Sequence, residues 1–478
     1  MKKYVFIILF SFLVLIFFFN RGFAYYDEGF ILHAAQRILQ GEIPYKDFDF
    51  IYTPGTIFIV AAAFKIFGES IIIGRVLIMV IGVLTALLIY FVTNIISNNK
   101  LISLLSVLVY LAWGPTHINF PWPSTFAFSL GLIAAYFLFK KEFFYSGLLT
   151  AITLLFKQNF GVAVFLSSIL GMWFNKPISK MRDFLNFLIG IATGLALFLV
   201  YLLSTNSLVG FLDNFYFYTV KKIILEGVAG SGFPSGVKGL FYLFPGLISL
   251  IAVFVAYKRR RKYIVLPLFT FFFYLFGIRP TTDYVHLTIL TASVGIPLVI
   301  IQSNSFHFKR LFFSGLSIVV IVLGVYTGIW RNYYRWDSSL IKQKYFISHP
   351  QARILVDRKF ASAIPQILSG IDQETANDDY IFVFPNAPMF YFLSQKKNPT
   401  RFINLPLGLH TSQQEQKVVD DLRKKRVKII LTNELSQSWS YPLVSDYILK
   451  NYLKIKEIFE FTLWEKVESE KHSEVQNI

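Results

Sequence analysis

The sequence predicts a polytopic α-helical membrane protein of about eleven spans, followed by a small extracytoplasmic α/β domain. Of its 478 residues, 55% are hydrophobic, 18% are aromatic and only 15% are charged. A soluble domain has no core large enough to hide so much apolar surface, whereas a bilayer solvates it. Two further observations support this fold class. Basic residues cluster between the apolar runs, and the chain becomes more polar after about residue 336.

The apolar runs define the predicted transmembrane domain, residues 1–335. We place spans at 4–19, 73–96, 101–113, 124–139, 143–156, 159–174, 184–204, 236–257, 263–278, 286–301 and 310–330. If Lys2 and Lys3 are cytoplasmic, every second loop carries a Lys/Arg cluster, except a weak one at 98–100, as the positive-inside rule expects. The first run is interpreted as an uncleaved span rather than a signal peptide, because Arg21 suits no cleavage site.

Charge and cysteine content exclude several functions. The net charge is +18, but the basic residues lie in short clusters that orient spans, so no nucleic-acid partner is predicted. The chain has no cysteine, which excludes disulfides, thiolate metal sites and cysteine nucleophiles.

The outward-facing first loop, residues 20–72, carries the adjacent carboxylates Asp27 and Glu28. They begin a predicted helix that runs to Gln40 and stops at Gly41. A second apolar segment, 56–67, is too short to span the membrane and predicts an interfacial helix. Carboxylates at a helix start are stabilised by the helix dipole, so the pair has either a capping or a catalytic role, and the two are compatible.

Residues 336–478 form the predicted C-terminal domain, which loop parity places outside the cytoplasm. Strands are expected at 379–384, 427–431 and 455–464, and helices at 387–393, 413–425 and 442–450. Strands that alternate with helices indicate a small α/β domain.

Several features of the first 160 residues together resemble the GT-C glycosyltransferases, especially protein O-mannosyltransferases and lipid A aminoarabinose transferases. A first span is followed at once by YYDEGF, then by an interfacial helix ending in KIFG at 65–68 and a second span led by Arg75. The resemblance implies a sugar donor linked to polyprenyl phosphate and transfer with inversion to a lipid, glycan or protein acceptor. It also implies that Asp27 is the catalytic carboxylate and Glu28 its partner.

The sequence departs from this family at the start of the interfacial helix. Relatives carry Lys-Pro-Pro or His-Pro-Pro there, and the cation helps to bind the carrier phosphate, whereas this chain has Tyr52-Thr53-Pro54-Gly55. We therefore expect the phosphate-binding cation elsewhere.

Two outward turns offer that cation. The candidate site for the donor phosphate comprises Arg279, His286 and the neighbouring Asp283 in RPTTDYVH, and Lys157 in the turn KQN. The alternative for the basic residues is that they only snorkel to the membrane interface.

Aromatic and histidine residues of the outward loops complete the candidate site. Tyr52, His117 and Trp122 are candidate substrate-binding residues, although interfacial packing explains such residues equally well. No metal-ligand motif is present, so no metal site or cofactor is predicted, and a divalent metal requirement is left open.

The predicted function is a membrane glycosyltransferase of a bacterial or archaeal plasma membrane, with its active site and C-terminus outside. Its expected partners are a polyprenyl-phosphate sugar, membrane lipid and a glycan or protein acceptor. Two alternatives remain: a transporter or flippase of lipid-linked sugars, and a non-enzymatic assembly factor or receptor. A transporter is expected to show inverted repeats and charges at mid-span, and the sequence shows neither.

Overall fold

The computed structural model describes residues 2–174, 181–225, 234–278, 284–303, 307–336, 338–376, 378–433 and 441–467. Helices dominate the first part of the chain. They are α1 Lys2–Ile16, α2 Asp27–Leu39, α3 Gly55–Phe67, α4 Ile71–Ser97, α5 Lys100–Trp113, α6 Pro123–Phe139, α7 Phe143–Phe156, α8 Gln158–Phe174, α9 Met181–Ser204, α10 Leu208–Asn214, α11 Gly236–Arg259, α12 Val265–Gly277, α13 Tyr284–Ala292, α14 Gly295–Ser303 and α15 His307–Trp330.

Five apolar segments of this part are long enough to cross a membrane: Ile71–Ser97, Met181–Ser204, Lys238–Arg259, Tyr284–Ser303 and Arg310–Arg335. Shorter apolar helices of 10 to 17 residues accompany them. These helices confirm the predicted class of α-helical membrane protein. The number of eleven spans stays a prediction.

Glycines allow α7 and α9 to pack backbone against backbone. A Cβ atom on Gly147 would lie 2.0 Å from the carbonyl oxygen of Phe187, and one on Gly190 would lie 2.1 Å from that of Phe144. Small residues at such crossings are typical of membrane helix pairs, because association there depends on close packing.

The predicted cytoplasmic clusters meet at one end of the helices. The Arg260 side chain donates to the carbonyl of Ile96, and the Tyr263 ring stacks on Phe139 at 5.2 Å. Arg75 lies near the other end of α4, 21 residues or about 30 Å from Ile96. The basic end and the end that carries the first loop are therefore opposite.

The first loop folds into the two helices that the sequence predicts. Gly41 has φ 91° just beyond the end of α2, a conformation that favours glycine. Helix α3 has 13 residues, as expected for a segment too short to span.

The C-terminal segment builds a four-stranded sheet of order β3-β4-β6-β5, in which β3 and β4 are parallel and the other pairs are antiparallel. The elements of this segment are β1 Tyr345–Phe346, β2 Leu355–Val356, α16 Arg358–Glu374, β3 Ile381–Phe384, α17 Met389–Ser394, α18 Leu405–Gly408, α19 Ser412–Lys424, β4 Ile429–Asn433, α20 Pro442–Asn451, β5 Tyr452–Ile458 and β6 Phe461–Lys466.

One element of this segment was predicted wrongly. The expected single strand at 455–464 is a hairpin of β5 and β6, with Phe459 at φ 60° in its turn. The turn has no Gly, Asn or Pro, so the sequence resembles one continuous strand.

The first loop and the C-terminal segment share one hydrophobic core. Buried residues from α2 and α3 pack with residues from α16, α17 and the sheet. A Cβ atom on Gly29 would lie 2.3 Å from the backbone nitrogen of Met389, which shows how closely α2 and α17 approach. The Arg401 guanidinium also binds Asp49 in the first loop through two hydrogen bonds of 2.6 and 2.9 Å. The sheet is thus held against the first loop.

Candidate active site

Asp27 occupies the first position of α2 and is partly exposed. The N-cap position itself belongs to Tyr26, whose side chain makes no capping hydrogen bond. The carboxylate Oδ2 of Asp27 accepts a hydrogen bond of 2.8 Å from the phenol of Tyr334. The helix start therefore presents a carboxylate that a distant part of the chain holds in place.

Tyr334 lies in the short 3-10 helix Tyr333–Arg335 that follows α15. The Asn332 side chain accepts from the Tyr334 backbone N–H at 2.9 Å and donates to the His117 carbonyl at 3.2 Å. The edge-on ring of Phe120 lies 4.7 Å from that of Tyr334. Tyr334 was absent from the sequence prediction, because its partner lies 307 residues away.

Tyr218 is a second phenol near Asp27. It belongs to the π-helix Phe215–Leu225, a rare form that is frequent at functional sites. Burial raises the pKa of Tyr218 to about 12, and the negative charge of Asp27 adds to the rise. Tyr218 therefore lies within electrostatic reach of the carboxylate and is protonated at neutral pH.

Glu28 has a fully buried side chain, whereas its neighbour Asp27 is partly exposed. Both carboxylate oxygens accept from Arg75, at 2.7 and 2.6 Å. Arg75 also donates to the carbonyls of Phe19, Arg21 and Gly22, at the end of the first span. This ion pair fixes the start of α2 against α4 and the segment that precedes Asp27.

Lys157 lies at the break between α7 and α8 and is only 4% exposed. Its Nζ donates to the Ser124 hydroxyl at 2.7 Å. The ammonium also lies over three aromatic rings, 5.5 Å from Tyr52, 5.6 Å from Trp122 and 5.0 Å from Phe160. The structure thus brings together Lys157, Tyr52 and Trp122 from the sequence prediction.

The break that carries Lys157 is docked on the start of α3. The Thr53 hydroxyl donates to the carbonyl of Leu154 at 2.6 Å, and the Gln158 amide donates to that of Ile51 at 3.1 Å. A Cβ atom on Gly55 would lie 2.6 Å from the Leu155 oxygen. Lys157 therefore lies beside the stretch 52–55, where the sequence itself has no cation.

Aromatic contacts connect Lys157 with Asp27. The Trp122 ring lies 5.9 Å from Phe120, which in turn contacts the ring of Tyr334. Since Tyr334 donates to Asp27, an unbroken series of contacts joins the carboxylate and the ammonium. We call this series the aromatic wall, formed by Tyr334, Phe120, Trp122 and Tyr52.

His117 lies in the helical core instead. Its ring stacks on Trp113 at 5.4 Å, and its Nε2 forms a hydrogen bond of 3.1 Å with the Thr327 hydroxyl. The side chain is 2% exposed. His286 is partly buried in the first turn of α13. Arg279 and Asp283 lie outside the described residues.

The described ranges contain no group of three or more His, Asp or Glu side chains placed to hold an ion, and a divalent metal requirement stays open.

Comparison with known proteins gives the fold. No protein-family model and no curated protein matches the chain. The crystal structure of ArnT from Cupriavidus metallidurans bound to undecaprenyl phosphate is similar, with a TM-score of 0.58 and 11% identity over 97% of this chain and 98% of ArnT. This chain has the GT-C fold. The apo structure of the same ArnT gives a TM-score of 0.60 at 12% identity and covers 97% of each chain.

A more distant GT-C structure is also similar, with a TM-score of 0.44 and 10% identity. It is the archaeal oligosaccharyltransferase AglB from Archaeoglobus fulgidus, in complex with an inhibitory peptide and a dolichol-phosphate. The match covers 98% of this chain and 74% of AglB. The ArnT structures confirm for the fold, over 97% of this chain, the resemblance that the first 160 residues suggested.

Proposed function

We propose that this protein is a membrane glycosyltransferase that takes a sugar from a polyprenyl-phosphate donor and transfers it with inversion to an acceptor hydroxyl outside the cytoplasm. The observation that carries the proposal is the joining of a carboxylate, Asp27, and a buried ammonium, Lys157, by one aromatic wall. Transfer from a phosphate-linked sugar needs both groups, a base for the incoming hydroxyl and a cation for the departing phosphate.

Asp27 is the proposed base. The acceptor oxygen attacks C1 of the sugar while its proton passes to the Asp27 carboxylate, and the bond from C1 to the phosphate oxygen breaks. The Tyr334 hydrogen bond orients the carboxylate at the start of α2. General-base assistance of this kind contributes about 10²–10⁴-fold to a rate.

Lys157 is the proposed phosphate ligand. Charge grows on the phosphate oxygens as the bond to C1 breaks, and a preorganised cation in a water-poor site stabilises that charge. Its place beside Tyr52 supports the view that Lys157 supplies the cation that relatives carry before the corresponding proline. Arg279, Asp283 and His286 remain candidates for additional phosphate contacts.

Tyr52 and Trp122 are proposed to contact the donor. Their rings flank the Lys157 ammonium and also contact each other at 5.9 Å. Aromatic faces stack on sugar rings, so a sugar whose phosphate is held by Lys157 can lie against this part of the wall. The GT-C fold supports a lipid-linked donor, since the similar ArnT structure holds undecaprenyl phosphate.

Glu28 is proposed as a positioning residue rather than a second base. Arg75 engages both of its oxygens, so it is unable to take up an acceptor proton without breaking a buried ion pair.

The proposal is tested by incubating the purified protein in lipid nanodiscs with a panel of radiolabelled polyprenyl-phosphate sugars. We expect one sugar to pass from its carrier to an acceptor added to the reaction, or to water when no acceptor is added, with free polyprenyl phosphate formed in equal amount. If no donor is consumed, and the protein instead moves a donor across a liposome membrane, the transporter alternative is favoured.

A further inference from the structure

The end of the C-terminal sheet nearest Asp27 carries three asparagine side chains. Asn386 follows the parallel strand β3, Asn433 ends its neighbour β4, and Asn404 begins α18. In parallel α/β sheets, ligands bind beyond the carboxyl ends of adjacent strands, because loops diverge there and leave a crevice. Asn386 and Asn433 lie at the carboxyl ends of the one parallel pair, β3 and β4.

Hydrogen bonds hold Asn386 in one orientation. The Asn404 amide donates to Asn386 Oδ1, and the backbone N–H of Asn386 donates to Asn433 Oδ1 at 3.3 Å. The Asn433 amide donates in turn to the Asn386 carbonyl at 3.2 Å. Within the described part of the chain, the Nδ2 group of Asn386 donates to no protein acceptor, and the residue is partly exposed. The hydrogen bonds with Asn404 and Asn433 therefore fix the Asn386 side chain and leave its Nδ2 group as a donor for a ligand.

An exposed aromatic ring lies near these amides. One face of Trp336 stacks on Tyr25 at 5.6 Å, and 42% of the residue remains exposed. The Tyr26 ring lies 4.0 Å from that of Tyr25, and the Tyr26 hydroxyl accepts from the Asn433 amide at 3.5 Å. A surface thus runs from Trp336 across Tyr26 to the asparagines. We call it the amide-aromatic surface, formed by Trp336, Tyr26 and Asn386 above the buried side chains of Asn404 and Asn433.

The two aromatic residues of this surface border the candidate active site. Tyr26 directly precedes Asp27, and Trp336 follows Tyr334 by two residues, so each adjoins one partner of the Asp27–Tyr334 hydrogen bond. All five side chains are uncharged. An ionic ligand such as a phosphate is therefore poorly matched, whereas a neutral ligand that offers hydroxyls and an apolar ring face is well matched.

We propose that the amide-aromatic surface binds the acceptor as a carbohydrate, with a sugar ring stacked on Trp336 and a hydroxyl accepting from Asn386. This inference rests on the proposed transfer and specifies its acceptor as a glycan. A sugar held there presents a neighbouring hydroxyl to Asp27.

Saturation-transfer NMR with a mixture of methyl glycosides of glucose, galactose, mannose, N-acetylglucosamine and arabinose tests the proposal. We expect at least one glycoside to bind the full-length protein in nanodiscs, and its affinity to fall about tenfold or more in Asn386→Leu and in Trp336→Ala, which is the loss expected for one hydrogen bond or stacking contact. The matched controls Asn451→Leu and Trp330→Ala should bind as the wild type does. Equal thermal stability of variants and controls establishes that folding is retained.

Two variants distinguish glycoside binding from the transfer reaction. Asp27→Asn should keep glycoside binding, and Asn386→Leu should keep any hydrolysis of the donor by water. The proposal is overturned if the wild type binds no glycoside, or if both surface variants bind as well as the wild type. Binding that depends on Asn386 in a protein that consumes no donor would support the surface and reject the transferase.

Discussion

The phenol of Tyr334 donates a hydrogen bond of 2.8 Å to the carboxylate of Asp27, and so joins the end of the last membrane helix to the start of the first loop. Under the proposed mechanism, this hydrogen bond orients the Asp27 carboxylate to accept the proton of the attacking hydroxyl. Tyr334→Phe should then lower kcat about 10–100-fold, because a hydrogen bond to a charged group contributes about 1.5–3 kcal/mol. The donor KM should change little. Steady-state transfer kinetics check this, with Tyr333→Phe as the neighbouring control, and an unchanged kcat would remove Tyr334 from the mechanism.

The buried pair of Glu28 and Arg75 predicts a stability effect. Glu28→Gln leaves the guanidinium buried beside a neutral amide, so unfolding should become easier by about 3–5 kcal/mol. Thermal unfolding in nanodiscs measures the change. The exposed pair of Lys454 and Glu457 supplies the control, since Glu457→Gln should shift the transition little. A Glu28→Gln protein that is as stable as the wild type but inactive would instead assign Glu28 to the chemistry.

Lys157 is predicted to act on the donor. Replacing the ammonium by an apolar chain in Lys157→Met should lower kcat/KM for the donor about 10–100-fold, as expected for a lost charge-assisted hydrogen bond to a phosphate whose charge grows in the transition state. Lys157→Arg should restore little of the lost activity toward the donor. The planar guanidinium does not fit the site of an ammonium that lies 2.7 Å from Ser124 among three rings. Lys140→Met, at the opposite end of α6, is the control. A kcat/KM for the donor equal to that of the wild type would place phosphate binding elsewhere.

Local signals in the sequence allowed part of this site to be predicted. The glycine after α2, the short α3 and the break at Lys157 each follow from a few neighbouring residues. The partners of Asp27 and Glu28 did not follow, because Tyr334 and Arg75 reach them only through helix packing. Periodicity within one helix carries no information about which helices meet.

In the C-terminal segment, one helix could have been predicted from the sequence and was not, and one contact could not have been predicted. Helix α16 was not predicted, although its apolar residues recur with helical spacing and Asp357 caps its start by accepting from the Phe360 N–H. The shared core of α2 and α17 was beyond prediction from the sequence, since the two helices are about 350 residues apart.

His33 predicts a pH dependence of stability. The side chain is fully buried in α2 and stacks on Tyr391 at 4.7 Å. Burial lowers the pKa of His33 to about 3, and the positive charge of Arg37 contributes, while the hydrogen bond with Gln36 opposes the shift. Between the ordinary pKa of 6.5 and about 3, the unfolded chain binds a proton that the folded protein does not, so stability falls as pH falls through this window.

The His33→Phe variant tests this dependence. From pH 7.5 to pH 5.0 the wild type should lose about 2 kcal/mol through His33, since 1.5 units below the ordinary pKa correspond to about 1.4 kcal/mol each. His33→Phe keeps the ring stack but has no titrating group, so its thermal transition should shift less over the same range. Identical shifts in the two proteins would show that His33 is protonated without cost to the fold.

The most direct test of the central claim is the transfer rate of Asp27→Asn with the donor that the wild type consumes, measured beside Asp47→Asn in the same loop. The amide keeps the shape of Asp27 but accepts no proton, so transfer should fall about 10²–10⁴-fold while donor binding and thermal stability stay unchanged. The control should retain full activity, because Asp47 is exposed and accepts from the backbone of Ile43. An Asp27→Asn protein that transfers sugar at the rate of the wild type would contradict the mechanism.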